Sequence, residues 1–170
     1  TSPTTGTVGV VGSTLPVTMS WDGDLNFIKI EYSKNGGSSW TTVISSTSPP
    51  VTNPGTYTWN PVADGISSNV IIRVTDTSNP AISASSLPFT VKAGLAITTP
   101  PTQAVGASYT IAYTTTGTVT DVKIEYSTDG GTSYPVGNLI AASVRATLGT
   151  RYAWTIPDAI STTVKVKITD

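Results

Sequence analysis

The stretch Ile28-Lys29-Ile30-Glu31-Tyr32-Ser33, followed by Asn35-Gly36-Gly37, decides the fold. Apolar side chains at 28, 30 and 32 alternate with charged ones at 29 and 31, the period-two pattern of a half-buried strand. The Asn and the glycines accept the positive φ of a tight hairpin turn. The same pattern returns 94 residues later as Val122-Lys123-Ile124-Glu125-Tyr126-Ser127, followed by Asp129-Gly130-Gly131. Two more blocks recur in the same order. Tyr57-Thr58-Trp59 returns as Tyr152-Ala153-Trp154, and Val70-Ile71-Ile72-Arg73-Val74-Thr75-Asp76 as Val164-Lys165-Val166-Lys167-Ile168-Thr169-Asp170. Repeated blocks in one order define two copies of a module, 1–93 and 94–170, with the boundary near Ala93-Gly94.

No stretch sustains a helical period, and Pro or Gly interrupts the chain every ten residues or so. In the first copy the alternation predicts seven short strands, roughly Thr7–Val11, Leu15–Trp21, Phe27–Ser33, Ser39–Ile44, Thr56–Trp59, Val70–Asp76 and Leu87–Val91. The fold class expected is all-β: two tandem immunoglobulin-like (fibronectin-III-like) β-sandwich domains of about seven strands each. Ile28, Ile30 and Tyr32 face the core with Val70, Ile72 and Val74, while Lys29, Glu31 and Arg73 fall on the solvent face. Glu31 with Arg73, and Glu125 with Lys165 or Lys167, are the expected cross-strand pairs. Tyr57 with Trp59, and Tyr152 with Trp154, share a strand face and suit core packing.

Composition closes off much chemistry. The 170 residues include no Cys and no His, so Cys/His metal sites, disulfides, a thiol nucleophile and an imidazole base are excluded. Charged residues are only 11%, net charge is −1, and Ser plus Thr number about fifty. A hydroxyl-covered, weakly charged surface has no electrostatic pull on nucleic acid or acidic membranes. No apolar run reaches the ~18 residues of a membrane helix. The first residue is Thr1, which fits a mature or excised chain, with any signal peptide outside it.

Several motifs look chemical. Ser33-Lys34-Asn35-Gly36-Gly37-Ser38-Ser39-Trp40 resembles the Asp-box pattern Ser-x-Asp-x-Gly-x-Thr-Trp, and Ser127-Thr128-Asp129-Gly130-Gly131-Thr132-Ser133-Tyr134 is its second copy. Asp-boxes occur in sialidase propellers, but a propeller needs copies at ~40–50 residues. The hairpin reading is preferred: Ser33, Asn35 and Gly37, with Ser127, Asp129 and Gly131, shape the turn, while Trp40 and Tyr134 pack beneath. Asp22-Gly23-Asp24-Leu25-Asn26 resembles half of a calcium loop, yet Phe27 and Ser33 stand where an EF-hand needs Gly and Glu. Calcium is thus the one cofactor considered, with Asp22, Asp24 and Asp121 as ligands at a junction between the copies. Trp21, Trp40 and Tyr134 are the candidates for stacking on a glycan. Ser nucleophiles lack an elbow motif and a base, the acids do not cluster, and Lys29 and Lys123 have the wrong parity for an isopeptide bond.

Taken together, the repeated blocks resemble the tandem Ig-like or fibronectin-III-like repeats of large bacterial secreted and cell-surface proteins. That resemblance covers essentially the whole chain and implies a non-catalytic structural repeat of a stalk, layer or filament, located outside the cell. The short linker Ala93-Gly94-Leu95 fits such a repeat. The alternative is an adhesin or a carbohydrate- or calcium-binding module using loops at one sandwich end. The first copy differs in lacking an equivalent of Leu95-Ala96-Ile97. The second stops at Asp170, so its last strand is absent. Excision from a longer array is the preferred explanation. The other is β-strand addition by a neighbouring copy at the open edge of repeat 2.

Overall fold

The structure, a computed structural model, describes residues 2–146 and 150–170. The chain divides into two compact units, Thr1–Ala93 and Gly94–Asp170. In the first, runs that, β7 apart, contain β-branched or aromatic residues form β1 (Val8–Val10), β2 (Leu15–Met19), β3 (Ile28–Ser33), β4 (Thr41–Thr47), β5 (Gly55–Trp59), β6 (Ser67–Asp76), β7 (Ser83–Ser85) and β8 (Phe89–Lys92). One sheet runs β1-β8-β6-β3-β4, with β7 also on β6; the other is β2-β5. Because β7 pairs with residues 73–75 and β8 with residues 67–70 of β6, the two act as one interrupted strand alongside β6. That leaves seven strand positions in two sheets, an immunoglobulin-like or fibronectin-III-like sandwich.

The alternation works as expected where side chains are large. Ile28, Ile30, Val70, Ile72, Phe89 and Val91 are at most 2% exposed, and they meet Leu15, Val17, Met19 and Trp59 from the facing sheet. Tyr32 lies against Trp59 with ring centroids 5.0 Å apart, a tilted pair contributing about 0.5–1.5 kcal/mol beyond its buried area. Tyr57 shares the parity of Trp59 but is only partly buried.

Three differences from the sequence reading have physical causes. Ser83–Ser85 is a strand although all three residues are exposed, because its backbone pairing with β6 needs no apolar pattern. Strand β2 stops at Met19, short of Trp21, because the Asn53 amide takes over the backbone beyond it. Asn53 Oδ1 accepts the Trp21 N–H at 3.3 Å, and Asn53 Nδ2 donates to the Trp21 carbonyl at 2.6 Å. Glu31, placed on the solvent face by parity, is only 6% exposed because two cations lie over it.

The second unit repeats the arrangement with β9 (Gly94–Ile97), β10 (Ser108–Thr116), β11 (Asp121–Ser127), β12 (Leu139–Arg145), β13 (Arg151–Thr155) and β14 (Lys165–Thr169). Its sheets are β13-β10-β9 and β12-β11-β14. Even the irregularities coincide: the β3–β4 ladder shifts register between Ile28 and Ile30, and the β11–β12 ladder between Val122 and Ile124. Tyr126 and Trp154 repeat the aromatic pair at 5.4 Å.

The two units part company at one edge. In the first, β8 covers β6 and also pairs with β1, the one parallel ladder of that unit's described strands. In the second, β14 pairs only with β11 among the described residues. Without a strand beyond β14, positions sealed in the first unit open: Val70 is 0% exposed but Val164 is 41%, and Val11 is 8% but Val105 is 50%. At the opposite edge the units share one backbone hydrogen bond. Ser2 N–H donates to the Thr18 carbonyl and Thr98 N–H to that of Ala112, equivalent residues on β2 and β10. Ser2 therefore stands where Thr98 stands, while Leu95, Ala96 and Ile97, which pair with β10 in the second unit, have no counterpart among residues 2–93.

Candidate functional site

The hairpin after β3 is built around one hydroxyl. Ser33, 1% exposed, accepts the N–H groups of Asn35 (3.3 Å) and Gly37 (2.8 Å) and donates to Asn35 Oδ1 at 2.8 Å. Asn35 Oδ1 also accepts the Ser39 N–H at 2.9 Å, and its amide nitrogen donates to Ser39 Oγ at 2.8 Å. After β11, Ser127 accepts the N–H groups of Asp129 and Gly131 and donates to Asp129 Oδ1 at 2.5 Å. Here Ser133 donates both its N–H and its hydroxyl to Asp129. Hydrogen bonds from the Ser127 hydroxyl, then from the Ser133 hydroxyl and amide, hold the Asp129 carboxyl well below the usual range. The turn glycines have positive φ, +66° at Gly36 and +94° at Gly37, with +74° and +91° at Gly130 and Gly131.

Beside each hairpin lies a stack on the outer sheet face. In the first unit Lys29 Nζ is 2.5 Å from Glu31 Oε1, and Arg73 donates to Glu31 Oε2 through Nη2 at 2.7 Å and Nε at 3.2 Å. The Arg73 guanidinium lies 4.0 Å from the centre of the Trp40 ring. In the second, Lys123 and Lys167 sit 2.6 and 2.9 Å from the two oxygens of Glu125, and Lys167 lies 3.9 Å from the centre of the Tyr134 ring. Burial pushes the Glu31 carboxyl up, but the hydrogen bonds from Lys29 and Arg73 outweigh it and leave it below its ordinary value. Glu125 is lowered by its hydrogen bonds from Lys123 and Lys167, against opposing burial. Trp40 and Tyr134 thus cover cations, and each ring face directed at a cation is closed to a stacking sugar.

The sequence candidates at the sandwich end come together differently. Trp21, Asp22 and Asp24 line a slot of about 310 Å³ between the two sheets of the first unit. Its apolar floor includes Met19, Ile28, Ile72 and Val74. Asp76 also lines it, at the inward parity of Val70, Ile72 and Val74, and is 8% exposed. Asp121 is not part of this group; it opens β11 in the second unit, in register with Arg145. No group of three or more His, Cys, Asp or Glu able to hold a metal occurs among the described residues.

Two contributors were not singled out from sequence. Asn53 clamps Trp21 through a contact 32 residues distant, which no local pattern announces. Asp76 carried a signal, an acid at an inward position of a strand that otherwise alternates cleanly.

No protein-family model matches the chain, and no curated protein matches it. Among solved structures, the fibronectin(III)-like modules of Clostridium thermocellum CbhA are similar over 98% of this chain and 81% of theirs, at 18% identity and a TM-score of 0.30. The N-terminal four Ig domains of Dscam1 isoform 8.4 are similar over 96% of this chain and 39% of theirs, at 14% identity and a TM-score of 0.36. The fold assignment stands on strand order, register and core. No helix among the described residues is long and apolar enough to cross a membrane.

Proposed function

We propose that the chain is a non-catalytic structural repeat of an extracellular bacterial surface protein, a building unit of a stalk, layer or filament. The observation that carries this reading is what the two units share. The capped hairpin, the carboxylate between two cations, the covered cation and the Tyr–Trp pair all recur, and each serves packing of the module itself. A weakly charged, hydroxyl-rich surface favours side-by-side assembly, since little repulsion opposes it. Neighbouring copies of the same repeat are the proposed partners, with a strand added at the β14 edge in the manner of β8 on β6.

A synthetic peptide with the sequence of residues 86–92 tests the strand-addition step. Binding to the chain should raise the melting temperature of the second unit and protect the β14 amides from hydrogen exchange. No binding, together with a chain that stays monomeric at millimolar concentration, would remove assembly through this edge. Immunolabelling of intact cells of the source organism tests the surface location; an exclusively intracellular signal would end the reading.

A binding role is the second reading, favoured by the slot that gathers Trp21, Asp22 and Asp24. A glycan array and a calcium titration monitored at Trp21 distinguish it, and silence in both sets aside glycan and calcium alike.

A further inference from the structure

The open edge of the second unit has two walls, and the first unit shows what fills the space between such walls. There β8 runs antiparallel to β6 on one side and parallel to β1 on the other. Thr90 N–H donates to the Thr7 carbonyl at 3.1 Å, and the Lys92 carbonyl accepts the Val11 N–H at 3.0 Å. The inward side chains of β8, Phe89 and Val91, stand opposite Val70 and Ser67 and are buried in one cluster with Val11, Trp59, Val62 and Ile72. Thr90, between them, is only partly covered, and Lys92 is exposed.

Both walls persist in the second unit. Val164 and β14 repeat the last part of β6, and Thr102–Ala104 stand where Val8–Val10 stand. The turn that carries this second wall is kept. Ala107 N–H donates to the Ala104 carbonyl at 3.1 Å, as Ser13 N–H does to that of Val10 at 3.0 Å. Gly106 N–H donates to the Ile156 carbonyl at 2.9 Å, as Gly12 N–H does to that of Val62 at 2.8 Å, and both glycines have a φ of +79°. Among the described residues no strand lies between the walls, and 102–104 join no ladder. The floor is open beyond Val105 and Val164. Trp154, Ile156 and Val166 are partly exposed, whereas their counterparts Trp59, Val62 and Ile72 are buried. A contiguous apolar floor flanked by unpaired backbone calls for an added strand, with the walls fixing its direction and the floor choosing its inward side chains.

We propose that this groove takes an extended segment of another chain, antiparallel to β14 and parallel to Thr102–Ala104, and selects one with an aromatic residue opposite Val164 and a β-branched residue opposite Ser161. The source is another chain because the matching segment of this one, Phe89–Lys92, is already built into the first unit. The inference rests on the strand-addition reading and adds to it a second wall, a direction and a side-chain preference. Since inward and outward residues alternate, the residue between the two selected ones is free to vary.

The test uses the full chain and three peptides: the sequence of residues 86–92, its Phe89→Ala form and its Thr90→Lys form. Calorimetry should show the first and third binding alike and the Phe89→Ala peptide at least about tenfold more weakly. Hydrogen exchange on the complex should protect the Val105 amide together with residues 161–165. Val164→Lys, at an exposed position, should abolish binding without lowering the melting temperature of the unliganded chain; should it melt early, Val105→Lys on the other wall makes the same test. Equal binding of the native and Phe89→Ala peptides, or protection at 161–165 with none at Val105, would overturn the selective two-walled groove and leave plain strand addition standing. Failure of every peptide to bind would end both. Self-association of the chain that Val164→Lys leaves unchanged, without peptide binding, would remove the groove and keep the array reading.

Discussion

The Arg73 guanidinium lies 4.0 Å from the centre of the Trp40 ring, bridging from the Glu31 carboxylate to the indole. In the second unit the same bridge is made by Lys167 between Glu125 and Tyr134. The ring removes water from the cation, which strengthens its attraction to the carboxylate beneath. Trp40→Ala should therefore destabilise the first unit by about 1 kcal/mol or more, whereas Trp40→Phe should retain part of that. Differential scanning calorimetry should resolve the loss as a fall of several degrees in the first unit's transition. An unchanged transition would mean the ring merely rests on the surface.

Acid should unfold both units through these glutamates. Glu31 and Glu125 both titrate below the ordinary glutamate value in the folded chain. The unfolded chain therefore binds protons more readily. Their contribution is present above the unfolded pKa of about 4.3 and is lost as pH falls through the lowered folded value. Glu31→Gln and Glu125→Gln should lower stability at neutral pH and flatten the decline below about pH 5. A melting-temperature profile with an equally steep acid limb in both variants would contradict this.

The first hairpin carries Asn35 where the second carries Asp129, and this difference should be visible in titration. Asp129 receives the Ser133 hydroxyl, whereas Asn35 donates to Ser39. Asp129→Asn should remove an acid-sensitive contribution from the second unit, and Asn35→Asp should introduce one into the first. Ser33→Ala should cost about 1–3 kcal/mol, because the Gly37 N–H loses its acceptor beside a buried site. Denaturant melts of the single variants measure each effect.

Gly36→Ala should be more damaging than Gly23→Ala. Both glycines have positive φ, +66° and +77°, so both substitutions strain the backbone. A Cβ on Gly36 would also meet Asn69 Nδ2 at 2.6 Å, while one on Gly23 meets nothing within 4 Å. Equal losses in thermal melts would show that the Asn69 side chain moves aside freely.

Much of this was legible in the repeat. Period-two alternation located β3, β6, β11 and β14, because large inward side chains pack or fail to pack according to parity alone. The pairing of Glu31 with Arg73 followed from adjacent strands, and its burial did not. Parity says which face a side chain takes, while coverage depends on long neighbours such as Lys29 and Trp40 folding over it. Strand β7 escaped because Ser-Ala-Ser carries no hydrophobic pattern. The slot escaped for a different reason: Asp22, Asp24 and Asp76 approach it from segments 50 residues apart. Trp21, Asp22 and Asp24 were legible as candidates in the loop, whereas Asp76, an acid in the inward series, was not joined to them.

The parallel ladder between β1 and β8 joins the two ends of the first unit, Val8–Val10 to Thr90–Lys92. Tension applied between those ends would pull the strands past each other along their length. Every hydrogen bond of the ladder would then carry load together, instead of opening one after another as in an unzipped hairpin. By this geometry the first unit resists stretching through a short clamp of three residue pairs. A force spectrum of the chain should show that clamp as the higher of two unfolding peaks.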